Sequence, residues 1–526
     1  MKTLLAIFLC ALILLAACAP DALSPAAPGA VTDPPEPGTV TEPPAPAPSS
    51  DGRFTLRYNP DAPLNPLTSD DPDNLLLAPL LYESLFTLDE GFRAVPLLCD
   101  EYETEDNVTY TFHIKPDVAM SDGSALGADD VSYSLLQARA GRFAQRLRAV
   151  TDVEVADSLT VTVTLASANT RLPELLDIPV IKYGSTGTIP LGSGPYVYSG
   201  ADAPRLIKAQ NHRDADRLPL DTIWLLTCTD AELAELFTSQ AADLYVDDPA
   251  GASAINVRRD HEARYYNTTV MHFLGFNTRR EALRDSQIRR ALGLAADGRT
   301  IVGSIMLGHA LPAPLALSPA YRLYDAAWEQ SPGDPLVEMS AIFSRAGMTD
   351  ANSDSYLEYM SQTGEYVPFS IDFIVNAENE YKVAAAEQIA ETIRRVGVQI
   401  TLRRLPWESY TIALESGDFD MYYGETRLPA DFDLSALIAP GGALDYGGVG
   451  LEEYGPYLSD FRAAIGDAAE TAAAFALCRK IQSDAPFIPI LYKQYAVHTG
   501  RGVVSGLAPT QSGVFIGVAD WRVNNL

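Results

Sequence analysis

Apolar and polar residues alternate with the period of a β-strand in a short segment of the first third of the chain. Tyr110, Phe112 and Ile114 would lie on one face of such a strand, with polar residues on the other. A Ser-Asp-Gly sequence at positions 121–123 follows, and these residue types favour a turn. Two aspartates directly after Ala128 suit the first turn of a helix, because carboxylates stabilise the positive end of the helix dipole. The segment is therefore predicted to form a strand, a turn and a helix in succession.

A longer periodic segment in the second half of the chain predicts a βαβ unit. Alternating apolar residues from Phe369 to Val375 predict a strand, and the apolar period from Glu380 to Val396 predicts a helix. Gly397 stands where a helix commonly ends in the left-handed conformation. A second strand is predicted from Val398 to Leu402. Because a helix joins the two strands, we expect them to be parallel, with a right-handed crossover.

A further strand of the same sheet is predicted after a helix from Trp407 to Ser416. It begins with the sequence Asp-Phe-Asp-Met-Tyr at positions 418–422. In open α/β sheets, ligands bind outside the carboxyl ends of the parallel strands. The loop from Gly424 to Asp433 is therefore predicted to contribute to a binding site.

Other periodic segments predict a mixed α/β protein. A glycine-rich sequence at positions 191–196 lacks the Lys-Ser/Thr pair and the G-x-G-x-x-G spacing of phosphate loops, so we interpret it as closely packed backbone. The further predictions are a strand at Phe54 to Tyr58, an apolar run of helix length at Asn74 to Phe86, a hairpin at Val153 to Leu165, a helix beginning at Thr229, a buried strand at Val270 to Phe276, a helix capped by Asp285 and a helix at Pro335 to Gly347.

The first 51 residues differ from the rest in composition. Lys2 precedes an apolar run from Leu4 to Leu15 that is too short to cross a bilayer comfortably. The run ends in Leu-Ala-Ala-Cys, which resembles a bacterial lipobox, so residues 1–18 are predicted to be a lipoprotein signal and Cys18 the lipid acceptor. An ordinary secretory signal or membrane anchor is the alternative. Residues 19–51 are rich in proline and have no basic residue, which predicts an extended, disordered tether.

Length and charge restrict the possible functions. The chain has 526 residues, which predicts two to four domains at roughly 100–200 residues each. A formal net charge of −31 argues against nucleic-acid binding, which needs a basic surface. The large negative charge either keeps the protein soluble or attracts cationic solutes electrostatically.

Cysteine and histidine positions predict neither a zinc site nor a disulfide framework. Two of the five cysteines lie within the first 18 residues, and Cys99, Cys228 and Cys478 remain. One disulfide among these three is possible, and their spacing selects no pair. The six histidines are scattered, and His272 in a predicted buried strand is interpreted as a hydrogen-bonded core residue.

The segment TYTFHIKPDVAMSDGSALGADDVSYS, from Thr109 to Ser134, resembles the signature of the family-5 solute-binding proteins of ABC importers, roughly YTFxLRxGVxFSDGxPLTADDVxYS. Ala125 replaces a proline, and Gly127 replaces the threonine that would cap the helix, although glycine is also an acceptable N-cap. Further family motifs occur in order across nearly all of Phe54 to Trp521: LNP at 64–66, YESL at 82–85, GSGPY at 192–196, FNT at 276–278, GDFDM at 417–421 and PFIPILY at 486–492.

The resemblance implies an α/β fold of the two-lobed periplasmic-binding-protein type (type II, or cluster C), with an additional subdomain on the first lobe. Lobe I would cover residues 52–268, with the extra subdomain at about 88–183. Lobe II would cover residues 269–485, and residues 486–526 would return to lobe I. The lobes are expected to hinge where strands cross between them, near Asn267 and near Pro486.

The resemblance also implies a function in binding, with no enzymatic activity and no cofactor. The protein would be a monomeric lipoprotein on the extracytoplasmic face of a bacterial membrane, capturing peptides in an interlobe cleft and delivering them to an ABC permease. Asp431 matches the aspartate that pairs with the ligand's α-ammonium group in peptide-binding relatives, and the alternative is that it only caps a turn. The candidate ligand-binding residues are Asn65, Tyr82, Trp407, Gly424, Arg427, Asp431, Phe432 and Tyr492.

The binding loop departs from the family pattern, which leaves the ligand open. Leu428 stands at the tryptophan position and Phe432 at the tyrosine position, the following proline is absent, and Asp433 occupies the later acidic position. A nickel or metal-chelate receptor is the alternative within the family, although no soft or imidazole ligands cluster in the sequence.

Two alternatives come from other classes of protein. A secreted hydrolase that uses two carboxylates is compatible with the composition, although the chain has no G-x-S-x-G, H-E-x-x-H or P-loop motif. A surface adhesin or sensor is the second. The ordered set of family motifs favours the solute-binding protein over both.

The predicted lipid anchor has a direct test in the substitution Cys18→Ala. The variant is expected to leave the membrane fraction, as an uncleaved precursor or a secreted form of altered mass, because the thiol that accepts the lipid is lost. Cell fractionation and radiolabelled palmitate incorporation measure this. Incorporation equal to that of the wild type would refute the assignment.

Overall fold

The computed structural model describes residues 53–200, 203–252, 254, 255, 257, 259–330 and 333–524. The predicted signal segment, the lipid acceptor Cys18 and the tether to residue 51 lie outside these residues. Within them, no helix has both the length and the apolar character that a membrane span requires. The three cysteines of the same part, Cys99, Cys228 and Cys478, are all free thiols.

The strands of the described part are numbered in chain order. They are β1 (Phe54–Arg57), β2 (Phe86–Leu88), β3 (Ala94–Pro96), β4 (Cys99–Glu103), β5 (Thr109–Ile114), β6 (Val150–Asp157), β7 (Thr160–Leu165), β8 (Tyr196–Ser199), β9 (Arg205–Lys208), β10 (Thr222–Leu226), β11 (Leu244–Asp247), β12 (His261–Phe276), β13 (Ala310–Pro312), β14 (Glu358–Met360), β15 (Tyr366–Pro368), β16 (Ser370–Asn376), β17 (Gln399–Leu405), β18 (Met421–Arg427), β19 (Phe487–Gly500), β20 (Val504–Ser505) and β21 (Arg522–Val523).

The α-helices are numbered in the same way. They are α1 (Pro72–Leu76), α2 (Ala78–Leu81), α3 (Ala128–Ala140), α4 (Asp230–Thr238), α5 (Ser286–Gly293), α6 (Gly298–Ser304), α7 (Pro335–Arg345), α8 (Glu380–Arg394), α9 (Trp407–Ser416), α10 (Ser435–Ile438), α11 (Gly455–Ala463) and α12 (Asp467–Asp484).

Two long strands, β12 and β19, connect the two halves of the molecule. They pair antiparallel from His261 opposite Gly500 to Gly275 opposite Phe487. Register shifts occur after Asn267 and after His272. In the described part they lie at the centre of a large sheet with the order β17-β16-β18-β12-β19-β11-β1-β10-β9-β8. Strands on the β16 side belong to the second lobe and strands on the β1 side to the first.

The first lobe contains parallel pairs at its centre and a separate smaller sheet. β1 pairs parallel with β10 and β11, and Phe54 and Leu56 point from β1 into the core. The smaller sheet has the order β4-β5-β7-β6 and packs against α3. This smaller sheet lies within the predicted extra subdomain of residues 88–183.

The second lobe confirms the predicted βαβ unit. β16 pairs parallel with β17 over its whole length, and α8 joins the two strands. β18 also pairs parallel with β16, so its carboxyl end lies at the same edge of the sheet. Ala385, Ile389 and Ile393 of α8 are fully buried against this sheet, which is the apolar face that the helical period predicted. Gly397 has a φ of 86°, as expected for the residue that ends the helix.

The other predicted elements are confirmed with shifts of a few residues, with two exceptions. The strand predicted from Val270 to Phe276 is the last part of the 16-residue β12, which begins nine residues earlier at His261. The apolar run from Asn74 to Phe86 forms two short helices and then strand β2, not one helix. Pro79 stands near the start of α2 and lacks a backbone N–H, so the helix of α1 cannot continue through it. The fully buried His272 confirms its assignment to the core: its ring nitrogens hydrogen-bond to Tyr423 and Glu425.

The passage back to the first lobe occurs inside β19. Ile490 and Leu491 still pack in the core of the second lobe, whereas Val497 packs in the core of the first. Residue 486, the predicted boundary, comes directly before the start of this strand. The chain therefore crosses between the lobes as continuous, hydrogen-bonded strand.

The glycine-rich segment at 192–196 packs directly against the end of α2. A Cβ atom on Gly194 would lie 2.3 Å from the carbonyl carbon of Leu81 and 2.6 Å from the nitrogen of Tyr82. The Gly194 N–H donates a hydrogen bond to the Leu81 carbonyl at 3.0 Å. The prediction of closely packed backbone is confirmed, because this approach admits no side chain.

Polar and aromatic contacts join the lobes across the space between them. Arg322 of the second lobe lies 3.5 Å from a Glu174 oxygen of the first lobe and 2.5 Å from a Glu470 oxygen of its own lobe. Phe92 of the first lobe packs edge-on against Phe432 of the second, with ring centroids 5.3 Å apart. The side chains of Arg322, Glu174 and Glu470 are all at least four-fifths buried. The ionic contact between the lobes therefore lies in a largely dry environment.

Substitution of Gly194 by alanine is expected to lower the free energy of unfolding by about 1–3 kcal/mol, because the new methyl group overlaps the α2 backbone. Urea unfolding measures the change. Gly303→Ala is the matched control: this exposed glycine lies inside α6 and a Cβ there meets no atom within 4 Å. The control should be neutral or stabilising by up to about 1 kcal/mol, and equal losses in the two variants would contradict the prediction.

Arg322→Gln is expected to favour a more open arrangement of the lobes. Glu470 would lose its partner at 2.5 Å, and Glu174, whose pKa burial raises to about 8 even beside Arg322, would lose a cation that favours its charged form. Removing one partner of a buried ion pair costs about 3–5 kcal/mol. Separation of the lobes hydrates both carboxylates and so relieves that cost. Small-angle X-ray scattering of the ligand-free protein should show a larger radius of gyration.

Arg403→Gln is the control for Arg322→Gln, because Arg403 pairs with Asp372 and Asp418 within the second lobe. Its scattering curve should match the wild type. An unchanged radius of gyration in Arg322→Gln would show that this cluster does not hold the lobes closed.

Candidate functional site

A cavity of about 690 Å³ lies between the lobes at the carboxyl end of β18. The first lobe contributes residues that follow α3, between Arg142 and Ala149, together with Asn169 and Leu175. The second lobe contributes residues 426–431, Asp433 and part of the segment that follows. The volume is in the range typical of small-molecule sites. The predicted binding loop therefore meets a surface of the other lobe that the sequence prediction did not include.

The loop after β18 is held in place by a tight turn. The Asp431 carboxylate accepts the Asp433 N–H at 3.1 Å, and the Asp433 carboxylate accepts the Ser435 N–H at 3.1 Å. Phe432 between them has a φ of 55°, the left-handed region that non-glycine residues seldom adopt. This backbone turns the Phe432 ring into the core beside Tyr321 while both aspartates remain on the cavity wall.

Asp431 is fully enclosed and already has hydrogen-bond donors. Asn169 Nδ2 donates to its second oxygen at 3.0 Å across the lobe boundary. Burial and the neighbouring Asp433 charge raise the pKa of Asp431, while Arg171 and the Asn169 hydrogen bond oppose that shift. Two of its roughly four lone-pair positions are occupied by these donors, so the carboxylate can accept further hydrogen bonds.

Asp433 has the opposite electrostatic environment. Burial disfavours its charge, but the Ser435 hydroxyl, Arg462 and Arg148 together hold the pKa of the carboxyl below its usual value. Arg148 Nη2 lies 2.5 Å from Asp433 and bridges the lobes. The two neighbouring aspartates therefore differ: Asp433 is neutralised by arginines, and Asp431 retains acceptor capacity toward the cavity.

The cavity wall is basic. Among the described residues, those that line it include five arginines and two aspartates, with no lysine, histidine or glutamate. Burial lowers the pKa of Arg146 to about 10, which Asp431 partly opposes, so Arg146 remains charged at neutral pH. The local charge is thus opposite in sign to the net charge of the chain. The five arginines are Arg142, Arg146, Arg148, Arg427 and Arg462.

A second cavity of about 490 Å³ continues into the first lobe. Its wall includes Tyr82, Glu83 and Arg213. Burial opposes ionisation of Glu83, but the nearby His212 ring, with its Nε2 at 3.6 Å, and the hydrogen bonds from Arg213 hold the pKa of this carboxyl below its usual value. The two cavities form one elongated cleft, since both are lined by Arg142, Phe143, Arg146, Arg427 and Gln511.

Three of the predicted site residues line this cleft. Asp431 lies on the wall of the larger cavity, Tyr82 on that of the smaller, and Arg427 on both. The Tyr82 hydroxyl already donates to the Pro190 carbonyl at 3.2 Å, so this hydroxyl group has a partner within the protein.

The other five candidates line neither cavity. Asn65 is buried and accepts the Leu67 N–H, and Trp407 is half exposed at the start of α9. Gly424 lies inside β18 opposite Phe273, because the strand continues to Arg427 and the loop begins four residues later than predicted. Phe432 and Tyr492 are fully buried and pack on each other at 5.9 Å.

Sequence reasoning missed the contribution of the first lobe. Arg142, Arg146 and Arg148 follow α3, and Asn169 comes after β7. A signal was present, because four arginines fall between positions 139 and 148 in a chain with a net charge of −31. Only the approach of the second lobe turns that basic segment into the wall of a cavity.

No metal centre is formed by the part of the chain described here. No group of three or more histidine, cysteine, aspartate or glutamate side chains in it could hold a metal ion. The cleft also contains no thiol among its described lining residues. The cleft residues that could contact a solute include the arginines, Asp431 and Glu83, together with amides and aromatic rings.

Comparison with known proteins identifies the family. The model of "Bacterial extracellular solute-binding proteins, family 5 Middle" matches residues 93–435, well over half of the chain. Among curated proteins, the glutathione-binding protein GsiB of Pectobacterium atrosepticum is 25% identical over 292 residues, 51% of this chain and 57% of that protein. GsiB of Escherichia coli K12 is 23% identical over 54% of this chain and 59% of its own length. The match thus spans a little over half the length of these relatives.

Solved structures show the same fold. A putative peptide-binding protein AppA from Clostridium difficile has a TM-score of 0.73 at 16% identity, covering 90% of this chain and 100% of that one. AppA from Bacillus subtilis, in complex with a nonapeptide, has a TM-score of 0.64 at 17% identity, covering 91% and 100%. NikZ from Campylobacter jejuni, in complex with Ni(L-His), has a TM-score of 0.66 at 17% identity, covering 90% and 99%.

These likenesses confirm the expected two-lobed α/β fold. The matched family consists of solute-binding proteins. This family assignment supports the prediction that the chain is not an enzyme. The chain belongs to the bacterial extracellular solute-binding proteins of family 5.

Proposed function

We propose that the protein is a lipid-anchored solute-binding protein of an ABC importer that captures peptides between its lobes and delivers them to a permease. The observation that carries the proposal is the interlobe cavity of about 690 Å³ with the Asp431 carboxylate on its wall. The anchor is Cys18, the location is the extracytoplasmic face of the membrane, and the working form is a monomer. Relatives named for glutathione and solved neighbours with a bound peptide support a peptide-like solute.

The cavity offers a peptide a place for its amino terminus. Asp431 is buried, and this burial together with the charge of Asp433 raises its pKa, while Arg171 and Asn169 oppose the shift. An α-ammonium group supplies a positive charge and N–H donors for the remaining lone pairs. Asp431 therefore binds the ammonium group, with Asn169 holding the carboxylate in position from the other lobe.

The same geometry couples binding to closure of the lobes. Asp431 belongs to the second lobe and Asn169 to the first, so a solute at Asp431 is enclosed only when the lobes meet. Binding to the closed form stabilises it by mass action. Exclusion of water then strengthens each ionic contact inside the cleft.

Asp431→Asn tests the ammonium site with little change in shape. A peptide that binds the wild type should lose roughly two to three decades of affinity, since an unpaired buried charge costs on the order of 3–5 kcal/mol. The probes are tri- to nonapeptides, screened by thermal shift, and the tightest is taken to calorimetric titration. The melting temperature without peptide should change little.

An N-acetylated form of the same peptide is the control. Acetylation removes the positive charge, so it should weaken binding to the wild type far more than to Asp431→Asn. Equal losses in both proteins would show that Asp431 is not the partner of the ammonium group.

A further inference from the structure

A carboxylate of the first lobe is buried against the second lobe. Glu174 lies in the 3₁₀ turn Leu172–Leu175, and its side chain is only 6% exposed. Its Oε1 atom lies 3.5 Å from Nε of Arg322, which belongs to the second lobe. Tyr321, the neighbour of Arg322, is buried beside Phe432 of the same lobe. Because these side chains belong to the other lobe, separation of the lobes exposes the Glu174 carboxylate to water.

Arg322 does not supply a cation for Glu174 alone. Its Nη1 atom lies 2.5 Å from Glu470, closer than its Nε atom lies to Glu174. One guanidinium is therefore shared between two buried carboxylates, and Glu470 has the closer contact. The second oxygen of Glu174, Oε2, is buried and has no hydrogen-bond partner among the residues that the structure describes. An ionised carboxylate in such a place is costly, and a proton on it removes the cost.

The other cation near Glu174 is not directed at its carboxylate. Arg171 places its guanidinium over the Phe461 ring of the second lobe, with the central carbon 4.0 Å from the ring centroid. Its three side-chain nitrogens are buried without a hydrogen-bond partner in the described part of the chain, so Arg171 acts on Glu174 only at a distance. The ionisable groups that surround Glu174 are Tyr102, Arg146, Arg171, Tyr321, Arg322, Asp431 and, beyond the arginines, Asp177 and Glu470.

The affinity of Glu174 for a proton therefore differs between the two arrangements of the lobes. Burial raises its pKa to about 8, and the charge of Asp431 adds to this shift, while Arg171 and Arg322 oppose it. A glutamate in water has a pKa of about 4.3. Between these two pH values the closed form holds a proton on Glu174 and the open form does not. Protonation and closure are therefore linked.

We propose that Glu174 makes closure of the lobes depend on pH: its carboxylate takes one proton from the solvent when the lobes close and returns it when they open. Acidic solution then favours the closed form. This stabilisation is fully present below about pH 4.3 and is lost as the pH rises to about 8. The inference goes beyond the proposed function, because it concerns the lobes themselves and holds for any solute that is enclosed between them.

Small-angle X-ray scattering of the complete mature protein without solute measures the arrangement of the lobes between about pH 8 and about pH 5.5, the range in which Glu174 is linked to closure. The wild type should have a smaller radius of gyration at the acidic end, because protonated Glu174 no longer opposes closure. Glu174→Gln has a neutral side chain at every pH. Its radius of gyration should therefore be small throughout the range.

Glu358→Gln is the matched control. Glu358 is an equally buried carboxylate that bonds within the second lobe, to Asn352 and to the Ala351 N–H. This variant should follow the wild type across the range, because the other groups that titrate are the same in all three proteins. Thermal unfolding shows beforehand whether the variants fold, and Glu174→Met, which is also neutral and of similar length, replaces Glu174→Gln if that variant does not.

Binding provides a second measurement, with the peptide selected by thermal shift. The ratio of the wild-type affinity to that of Glu174→Gln should rise roughly 3- to 30-fold from about pH 7 to about pH 5.5, since one proton per binding event corresponds to at most about tenfold per pH unit. The ratio is the readout because protonation of Asp431 affects both proteins alike. Calorimetry in buffers of different ionisation enthalpy counts the protons directly, and the wild type should take up more than the variant.

Two scattering results would overturn the inference. They are a wild-type radius of gyration that does not depend on pH, and a dependence that is equal in the wild type and in Glu174→Gln. The scattering experiment needs no solute, so it decides this inference even if no peptide binds and the proposed function fails. A peptide that binds with the same affinity ratio at every pH would likewise refute the role of Glu174 and leave the proposed function intact.

Discussion

The long antiparallel pairing of β12 with β19 is the constraint on which the two-lobed arrangement depends. One end of the pair lies in the core of each lobe, so backbone hydrogen bonds fix the two lobes in register. The pairing is interrupted by register shifts between Asn267 and Met271 and between His272 and Phe273. Irregularities of this kind bend a strand locally, so the connection is continuous yet has a defined place to flex.

The binding loop is placed by the same pair of strands. β18 pairs with β12, and its last residue, Arg427, lies opposite Val270, next to the first register shift. The loop that carries Asp431 therefore begins at the point where the lobes meet. A change in lobe angle moves this loop relative to Arg142 and Asn169 of the first lobe, and binding in the cleft is thereby linked to the conformation of the whole protein.

The sequence by itself determined most of the local structure and part of the site. The period of apolar residues predicted the β16–α8–β17 unit and the β6–β7 hairpin, because one face of each element is buried and only apolar side chains are stable there. The rule that ligands bind at the carboxyl ends of parallel strands then located Arg427 and Asp431 correctly on a cavity wall. Both predictions use only the pattern of residues within a segment and the order of the segments along the chain.

Tertiary structure alone decided which side chains face each other. Gly424 lies inside β18 because pairing with β12 extends that strand, and a left-handed turn buries Phe432 in the core. The basic segment after α3 becomes part of a cavity wall only when the second lobe lies against it. The two partners of the Arg148–Asp433 contact, for example, are 285 residues apart in the sequence. Contacts at such sequence separation depend on strand order and lobe closure, and the periodicity of a single segment carries no information about either.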